Sequence, residues 1–198
     1  LTDAAMDGSV PLEDVYGQRL EIIRPTRAQL DAMANAYVRA LVPDARETVA
    51  ALRWLGKTVR IVSGGLLPAV LALAAELGLP AEDVAAVGIS FDADGEYAGF
   101  ETGSLLARGG GKAVVIRGWD LPRPSLLVGD GATDAEARPA VDAFAAYAAV
   151  VERPAVVRDA EYVLREPSLS AVLALACTAE DRARLAESPW AGLIARAG

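Results

Sequence analysis

From residue 44 onwards, the sequence alternates between stretches with apolar residues at helical spacing and short apolar runs typical of strands. Helices are predicted over residues 45–55, 68–77 and 112–117, and strands over residues 58–62, 84–87, 125–128, 143–146 and 162–163. Strands separated by helices form a parallel sheet with helical crossovers. The alternation therefore predicts an α/β fold, with a Rossmann-like parallel sheet core and helices on both faces. Such sheets bind ligands at the carboxyl ends of their strands.

The two ends of the chain lack this alternation and read as helical. Apolar residues recur at helical spacing over residues 12–23 and 28–41, and Thr26 is placed to cap the second helix. Near the other end, Thr178 and Asp181 have capping-box spacing for a short helix that we expect to pack on its own domain. The sequence thus predicts a small, partial helical cap at 1–43, the α/β core at 44–177 and a C-terminal helical tail at 178–198.

Absent residue types exclude several kinds of site. The sequence has no histidine, which excludes His-based catalytic triads and imidazole metal ligands. Cys177 is the only cysteine, so there is neither a disulfide framework nor a thiolate zinc site. A formal net charge of −8 argues against nucleic acid or an anionic membrane as the main partner. No apolar run reaches the roughly 18 residues of a membrane span, and we expect a cytoplasmic protein.

Two glycine-containing segments stand where anions bind. Ser63-Gly64-Gly65 follows the first predicted strand, and three glycines precede Lys112 at the start of a predicted helix. Glycines allow the backbone to approach a ligand closely, and unpaired N–H groups at a helix start attract anions. A lysine in this position can direct a point charge at a phosphate. Each segment alone is also compatible with an ordinary turn or with a surface lysine after a loop.

A third segment, VGDGATDAEA, follows another predicted strand and carries two carboxylates. Asp130 lies between Gly129 and Gly131, where an exposed oxygen ligand suits Mg²⁺. Asp134 returns to the same point after one helical turn and can orient Lys112 or a metal-bound water. An N-cap followed by a first-turn acid is the alternative interpretation. Three such segments at successive strand ends favour phosphate chemistry.

Taken in order, SGG, GGGK and GDGATDAEA resemble motifs II, III and IV of the haloacid dehalogenase superfamily. Within this superfamily, the chain resembles the phosphoserine phosphatases, through residues 5–25, 62–65, 91–101, 109–112 and 128–144. The similarity extends to about residue 175. It implies Mg²⁺-dependent hydrolysis of L-phosphoserine to L-serine and phosphate through a phospho-aspartyl intermediate.

The resemblance also implies a role for each matching residue. Ser63 and Lys112 would hold the transferring phosphoryl group and stabilise its charge. Asp130 would be the Mg²⁺ ligand, with Asp134 as a third catalytic residue that supports the metal site. Arg19 would bind the substrate carboxylate. The implied substrate-binding residues are Met6, Arg19, Ser63, Gly64, Gly65, Lys112 and Thr133.

Motif I of this family, Asp-x-Asp-x-Thr/Val, supplies the nucleophile and the general acid. It is expected ahead of the cap, so it would precede Leu1, and the core is predicted to lack its first strand. Residues 1–198 alone are therefore expected to be inactive. Asp92-Ala93-Asp94 has similar letters, but it follows the SGG segment, and its aromatic flanks predict a hairpin turn.

Two alternatives to a phosphoserine phosphatase remain at this stage. One is a related phosphatase that acts on another small phosphomonoester, and Arg19 discriminates between the two because it serves only a substrate with a carboxylate. The other is a non-catalytic relative that binds a phosphorylated ligand. The expected partner is a small phosphorylated amino acid, without nucleic acid or membrane, for a protein that is a monomer or a homodimer.

Overall fold

The computed structural model describes residues 12–196, except for the side chain of Asp14. Its helices are α1 (Leu12–Ile23), α2 (Arg27–Arg39), α3 (Ala45–Trp54), α4 (Leu67–Glu76), α5 (Gly111–Gly118), α6 (Ala132–Ala137), α7 (Pro154–Asp159), α8 (Leu173–Ala176), α9 (Ala179–Ala186) and α10 (Ala191–Arg196). Its strands are β1 (Ile61–Leu66), β2 (Val84–Val87), β3 (Ile89–Phe91), β4 (Tyr97–Phe100), β5 (Leu126–Gly129), β6 (Ala143–Tyr147) and β7 (Tyr162–Leu164). The predicted α/β class is confirmed, with parallel strands and intervening helices.

The parallel strands of the described residues form two sheets. β1 pairs with β2, and β5, β6 and β7 pair in that order, while β3 and β4 form an antiparallel hairpin. Between residues 12 and 196, no ladder joins β1 to β5. Both strands nevertheless pack on the same pair of helices, because Val62 of β1 and Leu127 of β5 contact the buried cluster that contains Ala113 and Ala137. The absence of a first strand, which concerns residues before this range, stays a prediction.

β1 lies later in the chain than predicted. The prediction placed the strand at 58–62 and a turn at Ser63-Gly64-Gly65, whereas the strand contains that segment. In the pairing with β2, β1 advances from Val62 to Leu66 while β2 advances only from Ala85 to Val87. The extra residues leave the ladder as a bulge, which frees their backbone groups for other contacts. The glycines were interpreted as the end of the strand, whereas both lie within it.

The first two helices pack on the β1–β2 side of the protein. Tyr16 and Leu20 of α1 share a buried cluster with Leu30 of α2, and the cluster continues to Leu66 and Val87. The predicted N-cap is confirmed, because Thr26 Oγ1 accepts the Gln29 N–H and Gln29 Oε1 accepts the Thr26 N–H. This packing places α1 beside the carboxyl end of β1. The division into cap and core stays a prediction.

The C-terminal helices pack on the core, as predicted. Leu185 of α9 and Leu193 of α10 are almost fully buried against Leu52 and Leu173. Thr178 caps α9 through the predicted exchange of hydrogen bonds with Asp181. The tail is thus an integral layer of the protein rather than an appendage.

Candidate active site

The bulge in β1 presents a serine hydroxyl and two glycines. Ser63 Oγ accepts the Gly65 N–H at 3.0 Å, which leaves the hydroxyl hydrogen for donation to a ligand. A Cβ at Gly64 would lie 3.2 Å from the carbonyl oxygen of Leu106, and a Cβ at Gly65 would lie 3.1 Å from Ser63 Oγ. Larger residues at 64 and 65 would therefore displace their neighbours and disturb the segment.

Lys112 and Asp134 form an ion pair near the start of α5. Lys112 Nζ lies 2.7 Å from Asp134 Oδ1, and the two side chains are only 13% and 9% exposed. Asp134 Oδ2 accepts the Gly131 N–H at 3.0 Å, which fixes the carboxylate. An ammonium group has three donors, and this pair uses one of them. Asp134 thus orients Lys112 while leaving it able to donate to a phosphate.

Gly129, the last residue of β5, makes room for this carboxylate. A Cβ there would lie 2.5 Å from Asp134 Oδ2, which is far closer than two non-bonded atoms approach. The carboxylate of Asp134 therefore lies directly over the end of β5. The first glycine of the GDG segment is required by that contact.

Carboxylates hold the glycine run before Lys112 from two sides. The Gly109 N–H donates to Glu13 Oε2 of α1 at 3.0 Å, and the Gly110 N–H donates to Glu136 Oε2 of α6 at 2.7 Å. The bond from Gly109 holds the pKa of Glu13 below its ordinary value. The loop that carries Lys112 is thus fixed between two helices.

Asp130 projects from the end of β5 and pairs with an arginine. Arg153 Nη1 lies 2.5 Å from Asp130 Oδ2 and also donates to the Asp130 carbonyl oxygen at 3.1 Å. The Asp130 side chain remains 45% exposed, whereas that of Arg153 is 12% exposed. Arg153 therefore neutralises the charge of the Asp130 carboxylate, while part of the Asp130 side chain remains accessible to solvent.

Asp130 supplies an oxygen of the kind that Mg²⁺ prefers, and this ion commonly completes its shell with water and substrate phosphate. Between residues 12 and 196, no group of three or more His, Cys, Asp or Glu side chains is arranged to hold a metal. Asp134 is committed to Lys112. The residues present therefore fit a Mg²⁺ ion that takes one carboxylate from this part of the chain.

The other predicted site residues have simpler surroundings. Thr133 lies in the first turn of α6 and is partly buried. Arg19 is partly buried on α1, three residues after Tyr16. Met6 lies outside the described residues.

The hairpin prediction for Asp92-Ala93-Asp94 is confirmed. The segment joins the antiparallel strands β3 and β4. Asp92 Oδ1 accepts the N–H groups of Asp94 and Glu96 at 3.0 and 2.9 Å, so this carboxylate organises the turn. The resemblance to motif I is limited to its letters.

Three residues of the site were not predicted from the sequence. Arg153 follows β6, the neighbour of β5, and precedes the first residue of α7. The one sequence feature that could have identified Arg153 as a site residue is the Arg-Pro pair at the start of a helix after a strand. Glu13 and Tyr16 reach the site from α1, and the Tyr16 hydroxyl donates to the Gly64 carbonyl oxygen at 2.8 Å. A tyrosine in an apolar helical stripe does not by itself indicate such a contact.

Comparison with known proteins finds relatives that share one name, phosphoserine phosphatase. Phosphoserine phosphatase of Mus musculus is 36% identical over 169 residues, which cover 84% of this chain and 75% of the relative. The Homo sapiens enzyme of the same name is 34% identical over 169 residues, with the same shares covered. A phosphoserine phosphohydrolase-like protein from Francisella tularensis has a similar crystal structure, with a TM-score of 0.78 and 25% identity over 88% of this chain and 81% of that one. No protein-family model matches the chain.

Proposed function

The chain belongs to the phosphoserine phosphatases, and from that premise we propose that it hydrolyses L-phosphoserine to L-serine and phosphate with Mg²⁺ as cofactor. Membership of this family makes it a phosphomonoester hydrolase. The observation that carries the proposal is the Lys112–Asp134 ion pair, which lies over the end of β5 beside a glycine run. An almost buried lysine in this position suits a phosphoryl group better than a neutral ligand.

In this proposal, each side chain acts on the transferring phosphoryl group. Ser63 donates its hydroxyl hydrogen to one phosphoryl oxygen, and Lys112 neutralises the charge that spreads over the others. Asp130 would hold Mg²⁺, which would supply Lewis-acid stabilisation of that charge. Gly64, Gly65 and Thr133 line the substrate. The nucleophilic aspartate of the phospho-aspartyl route is not found among residues 1–198 in its motif.

The proposal extends to the setting of the enzyme. None of the helices between residues 12 and 196 is long and apolar enough to cross a membrane. We place the enzyme in the cytoplasm as a monomer or homodimer, with a small phosphorylated amino acid as its partner. The net charge of −8 supports a protein without a nucleic-acid or membrane partner.

Residues 1–198 alone are expected to release no phosphate from L-phosphoserine above background, with or without Mg²⁺. The reason is that a phospho-enzyme route needs a positioned nucleophile, and Asp92 and Asp94 belong to a hairpin turn. The same residues carrying an N-terminal Asp-x-Asp-x-Thr/Val segment, called here the extended chain, are expected to show Mg²⁺-dependent release. Phosphate release is measured for both. Turnover by residues 1–198 would place the nucleophile in the hairpin, and an inactive but folded extended chain would favour a non-catalytic relative.

Arg19→Ala in the extended chain is expected to reduce kcat/KM for phosphoserine by about 30-fold or more, because a charged hydrogen bond to the substrate carboxylate is lost. Phosphoethanolamine, which is phosphoserine without its carboxylate, is expected to lose far less. Arg39→Ala, on the exposed surface of α2, is the control and is expected to change neither value. Equal losses on both substrates would mean that Arg19 is structural and would favour another small phosphomonoester as the substrate.

A further inference from the structure

Helix α1 contacts both glycine segments of the site through two side chains one turn apart. Tyr16 Oη donates to the Gly64 carbonyl oxygen at 2.8 Å, and Glu13 Oε2 accepts the Gly109 N–H at 3.0 Å. Residues three apart lie on the same face of a helix. One face of α1 therefore bridges the bulge of β1 and the loop that precedes Lys112.

The surroundings of Tyr16 fix the direction of its hydroxyl. The ring is buried among Leu20, Leu30 and Leu106, and its centroid lies 5.5 Å from that of Phe100. Burial raises the pKa of the phenol well above its ordinary value, so the group is a permanent donor over the physiological range. The acceptor is a backbone carbonyl within the bulge of β1, which has left its ladder. Tyr16 thus supplies a partner for a backbone group that the bulge exposes.

Glu13 has the complementary role at the second segment. It is an exposed side chain on α1, and its acceptor oxygen meets the first amide of the glycine run. The next amide, that of Gly110, is bound by Glu136 from α6. Release of Glu13 would leave only one of these two amides, that of Gly110, bound to a carboxylate. The contact therefore connects α1 to the Lys112 loop rather than completing a contact that α6 already makes.

We propose that Glu13 and Tyr16 form a clasp that fastens α1 across both glycine segments and so fixes the distance between Arg19 and the phosphate site. Arg19 lies on the same helix, three residues beyond Tyr16. A shift of α1 would move Arg19 relative to Ser63 and Lys112, and catalysis is sensitive to displacements of about 1 Å. Glu13 and Tyr16 are positioning residues, because they act through the backbone of the site. The claim about substrate rests on the proposed function, whereas the clasp itself does not.

The decisive experiment measures amide hydrogen exchange by NMR in residues 1–198 and in Tyr16→Phe. This substitution keeps the buried ring and removes one hydrogen bond. If the clasp acts as a unit, loosening α1 at Gly64 also releases Glu13, so exchange of the Gly109 amide is expected to rise about 2- to 10-fold. Tyr162→Phe, which removes a hydroxyl from a more exposed tyrosine of β7, is the control and is expected to leave that amide unchanged. An unchanged Gly109 amide in Tyr16→Phe would overturn the proposal.

A second variant tests the clasp from the other end. Glu13→Gln changes an exposed side chain, so the fold is expected to be retained. The amide oxygen of glutamine can still accept a hydrogen bond, but it carries no charge, and the bond to the Gly109 N–H is therefore weaker. Exchange of the Gly65 amide, which lies in the other segment, is expected to increase by a similar factor. An effect confined to Gly109 would show two independent contacts and would contradict the clasp.

Kinetics of the extended chain then connect the clasp to Arg19. Tyr16→Phe is expected to lower kcat/KM for phosphoserine about 3- to 10-fold and to change that for phosphoethanolamine by less than about 2-fold. Equal losses on the two substrates would reject the link to Arg19. If the extended chain hydrolyses neither substrate, the proposed function fails, and the exchange measurements still decide whether the clasp exists.

Discussion

Lys112→Met in the extended chain is expected to lower kcat/KM for phosphoserine by about 100- to 1,000-fold, the usual consequence of removing one preorganised charge-stabilising group. The methionine keeps most of the side-chain length but has no donor. Only two of the 19 basic residues are lysines, and the other, Lys57, pairs with Asp181 at 2.9 Å in the C-terminal layer. Lys57→Met therefore removes a comparable ion pair away from the site and is expected to leave kcat/KM nearly unchanged. Equal losses in the two variants would contradict a catalytic role for Lys112.

Thermal unfolding, compared with activity, distinguishes the catalytic role of the Lys112–Asp134 pair from its role in stabilising the fold. Without Lys112, the Asp134 carboxylate remains almost buried and uncompensated, which costs about 3 to 5 kcal/mol of unfolding free energy. The double variant Lys112→Met/Asp134→Asn removes both charges, and the amide oxygen can still accept the Gly131 N–H. We expect thermal unfolding of the double variant to return towards that of the unsubstituted chain while activity stays lost. Recovery of activity together with stability would mean that Lys112 serves folding only.

The elements that the sequence predicted well are determined by interactions between residues that are close to one another in the sequence. Residues 12–23 have apolar side chains at helical spacing and form α1 with the predicted bounds, and Thr26 caps α2 as predicted. β1 was misplaced because its end is set by pairing with β2. Glycine at 64 and 65 favours a turn when only neighbours in sequence are considered, but the register with β2 turns these residues into a bulge.

Some contacts within the site could likewise be predicted from local sequence patterns, and others could not. The sequence suggested that Asp134 orients Lys112 or a metal-bound water, because one helical turn returns it to the end of the strand, and the structure shows the contact with Lys112. The Arg153–Asp130 pair was missed because the chain has 17 arginines, the 19 basic residues less two lysines, and no spacing distinguishes this one. Glu13 and Tyr16 were missed because their partners lie 96 and 48 residues away. Such contacts depend on how α1 docks, which no local pattern specifies.

Close backbone packing is a further property that sequence patterns do not reveal. In the run before Lys112, the three glycines look interchangeable, yet their surroundings differ. Gly109 and Gly110 present their amides to Glu13 and Glu136, whereas Gly111 packs against the backbone of Leu105. The turn at 105–107 in turn contacts β1. Gly111 therefore joins the Lys112 loop to the strand that carries Ser63.

Gly111→Ala is expected to destabilise the chain by about 4 kcal/mol or more, among the largest effects of a single substitution. A Cβ at this position would lie 2.5 Å from the carbonyl carbon of Leu105 and closer still to its oxygen, so backbone rather than a flexible side chain would have to move. For a protein of this size, that loss corresponds to a fall in Tm of roughly 8 to 16 °C, measured by thermal unfolding of residues 1–198.

The last residue of the same helix provides the control for this prediction. A Cβ at Gly118 meets no atom within 4 Å, and both positions are end residues of α5, where the helix propensity favours alanine by at most about 1 kcal/mol. Gly118→Ala is therefore expected to leave Tm unchanged or to raise it slightly. Because helix propensity favours alanine at both sites, the difference between the two variants isolates the overlap with Leu105. Similar Tm values for the two variants would show that the backbone of residues 105–107 can move at little cost to accommodate the added Cβ. The close contact between α5 and this turn would then not hold the Lys112 loop in place.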